Sequence, residues 1–155
     1  MGAEGNFIDE RLGLNIMHNP DLVTYKLPAL EAYQLSLNAP KAPEGSFDTE
    51  AATRGKIVFN NQGNCSSCHS GDKFTDADTQ LHYPDVIGTD PMLASRSITG
   101  KYRTTPLAGV WQHPPYFHDG SAATLLDVVD HYNNHFALGL MSSEKDDLVQ
   151  YLLSL

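Results

Sequence analysis

Cys65-Ser66-Ser67-Cys68-His69 takes both cysteines of a 155-residue chain and sets what the rest must fold around. Two thiols three positions apart, followed at once by an imidazole, form the C-x-x-C-H pattern of covalent c-type haem attachment. Each thiol can form a thioether to one vinyl group of a single porphyrin. His69 can then present a ring nitrogen to the iron as proximal ligand. A zinc site would want a second Cys or His pair at metal spacing, and there is no third cysteine. A redox C-x-x-C of the thioredoxin type would want a βαβ setting and has no use for the histidine. One covalently bound haem c is therefore the expected cofactor.

The length suits one domain, or one domain with an extension. Apolar residues make up 41%, which gives a thin core unless a buried macrocycle adds a shared hydrophobic centre. Ten basic residues face 19 acidic ones, a formal net charge of −9. That balance argues against nucleic acid or an anionic membrane surface as partner, since both need a basic footprint. It favours docking to partners with basic patches. No run reaches the apolar length of a membrane helix. The first twenty residues hold Glu4, Asp9, Glu10 and Arg11 without a sustained apolar stretch, so no signal peptide is visible. Haem c is attached outside the bacterial cytoplasm, so a periplasmic or exported location is expected, with the export signal trimmed or replaced.

Along the chain, Gly5, Gly13 and Pro20 break residues 1–27 into mixed pieces. Pro28 suits a first helical turn, and Leu30, Tyr33 and Leu37 continue it at helical spacing. The run from Asn38 to Gly45, with Pro40 and Pro43, reads as a stiff connector. The expected organisation is an N-terminal extension and Pro-rich connector over 1–47, then a haem domain over 48–155. In that domain a helix is expected over 48–60, with Gly55 allowing a second helix to cross closely beside Phe59. Residues 70–115 hold many turn formers and read as a long wrapping loop. Thr124-Leu125-Leu126-Asp127 fits a capping box that opens a helix from about 125 to 132. A last helix over 144–154, capped by Ser142 or Ser143, carries an apolar stripe of Leu148, Val149, Tyr151, Leu152 and Leu155. No strand signal stands out. The expected fold is all-α, a cytochrome c-like helical domain wrapped around one haem with long irregular loops.

Tyr102-Arg103-Thr104-Thr105-Pro106-Leu107, then Pro115-Tyr116-Phe117-His118-Asp119-Gly120-Ser121, Thr124-Leu125 and Val128-Val129 carry a more specific likeness. In that order after C-x-x-C-H, they resemble the C-terminal haem domain of bacterial di-haem cytochrome c peroxidases and their MauG-like relatives. The likeness covers about residues 48–155. Leu27-Pro28-Ala29-Leu30 and the proline-rich stretch resemble the inter-domain segment of larger family members. Family enzymes carry two haem motifs and this chain has one. The resemblance therefore implies an isolated electron-transfer domain (a natural monohaem protein, a subunit or a fragment) more strongly than a complete catalyst.

The family's electron-transfer haem usually has methionine on the distal side, and counting from His118 puts that position on Tyr132. Leu125, Val128, Val129 and Tyr132 follow i, i+3, i+4 and i+7, so Tyr132 shares the buried face of its helix. MauG-like proteins have tyrosine at the equivalent place. Thioether sulfur favours ferrous iron, whereas a phenolate is hard and anionic and favours ferric iron at lower potential. A core aromatic packed near haem is the simpler role for Tyr132. Met92, Met141, His82, His131 and His135 compete for the sixth position, with His131 and His135 read as solvated. Met17 and His18 lie outside the family-like region.

Arg103 is a candidate partner for a haem propionate, since guanidinium matches a carboxylate with two hydrogen bonds. A surface arginine is the equal alternative. His118 is expected to bond a propionate or nearby backbone rather than to form an acid–base pair with Asp119. Pro106 and Gly109 are shape residues, Pro106 fixing the loop against the cofactor, and Trp111 is core or haem packing. No phosphate loop or nucleophile elbow occurs. The expected function is single-electron transfer to a redox protein or haem-domain partner. The alternative is a peroxidase or MauG-type haem enzyme, or part of one, with a Tyr-ligated or partly open haem.

Overall fold

In chain order the computed structural model forms a hairpin, β1 (Gly5–Asp9) and β2 (Leu14–His18), then helices α1 (Leu27–Ser36), α2 (Thr49–Asn60), α3 (Pro84–Ile87), α4 (Leu125–His135) and α5 (Ser142–Ser154). It describes residues 5–9, 14–18 and 24–155. Two compact units result, Met1–Ala39 and Pro40–Leu155.

The first unit holds the antiparallel hairpin, in register from Gly5 opposite His18 to Asp9 opposite Leu14. These strands were not expected. The side chains of Met17 and His18 lie outside the described residues. Helix α1 begins as expected, with Pro28 in its first turn. Leu30, Tyr33 and Leu37 are exposed.

The second unit is all-α, as expected. Asp48 caps α2 by accepting from Ala51 N–H at 2.9 Å, which satisfies one of the helix's free amide donors. Helices α2 and α5 cross at Gly55. A Cβ there would land on the carbonyl of Asp147 and come within 2.9 Å of Leu148 N, so only glycine permits the approach. Arg54 then reaches across to Asp147 with two hydrogen bonds of 2.8 and 2.7 Å. Phe59 fills the space beside the crossing at 2% exposure. Its ring meets Tyr151 edge-on at 5.2 Å and Phe74 at 6.2 Å. Leu125, Val129, Leu140, Leu148 and Leu152 complete this core, where α4 joins the helix pair.

The capping box of α4 forms as the sequence implies. Thr124 Oγ1 accepts from Asp127 N–H, and Asp127 accepts from the Thr124 backbone. At α5 the expectation needs correcting, because neither Ser142 nor Ser143 caps it. Met141 holds the cap position, and Glu144 reaches back to accept from Met141 N–H at 2.8 Å. Residues 61–124 are mostly irregular, with short 3-10 turns and the single-turn helix α3.

Candidate haem-binding site

Cys65 opens a short 3-10 turn, and the backbone N–H of His69 bonds to Cys65 O at 2.9 Å. This winding brings both thiols and the imidazole together. The cysteines are unpaired and half-buried. Burial pushes the Cys65 thiol up to about 11. A redox-active C-x-x-C needs the opposite shift, toward thiolate at neutral pH.

His69 Nδ1 lies 3.1 Å from the carbonyl oxygen of Phe74. That oxygen can only accept, so Nδ1 carries the proton and, in the neutral ring, Nε2 carries the lone pair. Burial is the strongest influence on the ring and holds it below the usual histidine range, which keeps it neutral. A neutral, half-buried imidazole with Nδ1 tied to a carbonyl is the state a metal-binding histidine requires. Phe74 makes the contact from the left-handed region, at φ 54°.

Tyr132 is half-buried, on the same face of α4 as Leu125 and Val129. Burial raises its phenol, and Cys68 and Cys65 lie near enough for their charge to raise it further. Phe117, also left-handed at φ 64°, meets the Tyr132 ring edge-on at 5.8 Å, and Phe136 stacks on it at 6.0 Å. The Tyr132 hydroxyl makes no hydrogen bond among the described residues.

The other residues weighed for the sixth position are held elsewhere. Met92 and Met141 are 53% and 64% exposed. His82 bonds to Asp76. His131 is half-buried and His135 exposed, and they donate Nε2–H to Ile87 O at 3.4 Å and Val86 O at 3.0 Å. These are the free carbonyls at the end of α3, which need donors from outside the helix. The His135 ring sits against Gly88, where a side chain would clash.

Arg103 and Pro106 are exposed, and Arg103 has no ion pair among the described residues. His118 uses both ring nitrogens on side chains, reaching the Tyr102 hydroxyl at 3.1 Å and the Thr89 hydroxyl at 3.3 Å. Its ring stacks on Tyr102 at 4.7 Å. Trp111 has a buried indole N–H with no partner, a donor suited to a carboxylate that the polypeptide does not provide. Two free thiols, a neutral imidazole protonated at Nδ1 and this orphan donor fit a haem. Sequence reasoning missed the Phe74 carbonyl and the Asp76–His82 pair, whose partners are fixed by folding. Phe74-Thr75-Asp76 was the signal available.

A helical domain built around C-x-x-C-H, with a glycine-bearing helix crossing the C-terminal one, is a cytochrome c-like haem domain. The family model described as RoxA-like, cytochrome c-like matches residues 100–134. The methylamine utilization protein MauG of Methylophilus methylotrophus is 31% identical, over 82% of this chain and 45% of its own length. Hydrazine synthase subunit gamma of Kuenenia stuttgartiensis is 27% identical, over 84% of this chain and 49% of its own. The crystal structure of a MauG-like protein associated with microbial copper homeostasis shares the fold, with TM-score 0.55 and 24% identity over 72% of this chain and 48% of that one. The chain is similar to MauG-like members of the cytochrome c peroxidase family, and spans less than half the length of the curated relatives it matches. No helix of the described residues is long and apolar enough to cross a membrane.

Proposed function

We propose that the chain is a monohaem c-type cytochrome domain that carries single electrons. Cys65 and Cys68 anchor the haem, His69 is the proximal ligand through Nε2, and Tyr132 is the sixth ligand. The observation that carries this reading is the His69 Nδ1 hydrogen bond to Phe74 O at 3.1 Å, which fixes the tautomer a ligand must have. Bound haem supplies a one-electron ferric–ferrous couple. Tyr132 supports its role through its position near both cysteines and its unpaired hydroxyl. Arg103 and Trp111 are the donors for the propionates, Pro106 shapes the loop that holds them, and His118 steadies the neighbouring turn. Covalent attachment implies a periplasmic or exported protein. The net charge of −9 favours a redox partner, protein or haem domain, with a basic docking face.

A second reading is an oxidising haem enzyme of the MauG type, or a part of one. The phenol at Tyr132 favours it, since an anionic oxygen ligand stabilises oxidised iron. Steady-state assay of the haem-loaded protein with hydrogen peroxide and an electron donor separates the two. The carrier reading expects no turnover above that of free haem. Rapid turnover that depends on the intact haem site would overturn it.

A further inference from the structure

Asp76 and His82 are buried close to the haem motif, with side chains 12% and 7% exposed and a 2.9 Å hydrogen bond between them. Burying a carboxylate is costly unless charge and hydrogen bonds compensate. Burial alone would raise Asp76, but the Thr104 side chain and His82 outweigh it and hold the carboxyl below its ordinary range. One oxygen, Oδ1, still has no hydrogen-bond partner. The ligand atoms of Cys68, Asp76 and His82 lie within 4.8 Å of one another, so the pair backs directly onto the motif.

Three consecutive residues connect the pair to His69. Phe74 offers the carbonyl that His69 Nδ1–H donates to. Thr75 donates its hydroxyl to Thr104 O at 2.6 Å and accepts from Ala77 N–H at 3.2 Å. Asp76 accepts from His82, whose own N–H and C=O pair with Tyr102 at 2.8 Å each. Residues 74–76 are thereby tied to residues 102–104 twice, once through Thr75 and once through Asp76. A left-handed phenylalanine is strained and persists only where its surroundings over-determine it. These two ties supply that constraint.

We propose that Asp76 and His82 are positioning residues for the proximal ligand. Together they brace residues 74–76 so that the Phe74 carbonyl stays on the His69 Nδ1 proton. The inference rests on His69 being the proximal haem ligand. An imidazole that donates from its far nitrogen is a stronger ligand, and such outer partners tune the metal. The brace therefore stabilises ferric over ferrous iron. A simpler alternative is that the Asp76 charge alone acts on the iron, and the two accounts differ in sign at His82. Removing His82 loosens the brace, which raises the reduction potential. It also leaves the carboxylate uncompensated, which as a bare charge effect would lower the potential.

The test uses the haem-loaded protein, with reduction potential and exchange of the His69 Nδ1 proton, followed by paramagnetic proton NMR, as readouts. His82→Phe is expected to raise the potential, with the ferric–ferrous ratio shifting about tenfold, equivalent to about 59 mV for one electron. Nδ1 proton exchange should quicken in the same variant. His82→Gln, which keeps a donor toward Asp76, should return both readouts toward wild type. Thr75→Val removes the other tie without changing charge and should also raise the potential, which keeps the test decisive if His82→Phe does not fold. A lowered or unchanged potential in either variant, with exchange unaltered, would overturn the brace. Wild-type protein that lacks covalent haem would instead overturn the reading beneath it.

Discussion

Gly55 of α2 lies against the backbone carbonyl of Asp147 in α5, with no room for a methyl group between them. The contact is backbone to side-chain position, so no rotamer change can relieve a larger residue. Gly55→Ala must push the two helices apart, although alanine is the better helix former by about 1 kcal/mol. Overpacking of this kind costs about 1–3 kcal/mol. A lower Tm than wild type, read by circular dichroism, is expected. An unchanged or raised Tm would mean that the crossing is looser than described.

Thioether attachment has a direct chemical signature. Cys65→Ala and Cys68→Ala should each leave haem held by one bond, shifting the pyridine haemochrome band toward that of a porphyrin with a free vinyl group. The double variant should release all its haem to acidified organic solvent. Retention of covalent haem in the double variant would contradict the role given to the motif.

Stability at the start of α4 should depend on pH with a definite sign. The Thr124 hydroxyl and backbone hold the Asp127 carboxyl below its ordinary range. A group depressed in the folded state stabilises fully above its unfolded value, near pH 4 for aspartate. That contribution fades as the pH falls through the lower folded value. Thermal melts between pH 7 and pH 2.5 should show Asp127→Asn destabilised at neutral pH, with the gap to wild type closing in acid. A gap that widens in acid would refute the capping role.

The histidines that hold α3 give a further expectation. Gly88 leaves the surface on which the His135 ring lies, and the ring donates to Val86 O at 3.0 Å. Gly88→Ala would meet that ring and also strain a backbone at φ 69°. Amide hydrogen exchange should quicken in residues 84–90 of the variant, while the α2–α5 crossing stays protected. Equal loss across both regions would show that α3 is not held locally.

What the sequence made legible was what local chemistry decides. Thr124 with Asp127 announced a capping box, Gly55 with Phe59 a helix crossing, and Cys65 to His69 the haem motif. At α5 the serines drew attention, but the link that forms is from Glu144 to the Met141 backbone. The hairpin gave no warning, because Gly5, Asn6, Asp9 and Asn15 are residue types depleted in strands. The Phe74 carbonyl was invisible for a different reason. Phe74 sits at φ 54° beside Thr75, whose hydroxyl bonds to Thr104 O, and close to Asp76, whose partner His82 pairs with Tyr102; no local pattern encodes such contacts. The partners of His131 and His135 were equally illegible, since they are carbonyls of a helix that only the fold brings near.

Electron paramagnetic resonance of the ferric protein at neutral pH decides whether the haem is held between His69 and Tyr132. A phenolate-type signal that changes in Tyr132→Phe while the haem stays attached is expected. A low-spin signal typical of histidine–methionine ligation, unaltered in Tyr132→Phe, would contradict it.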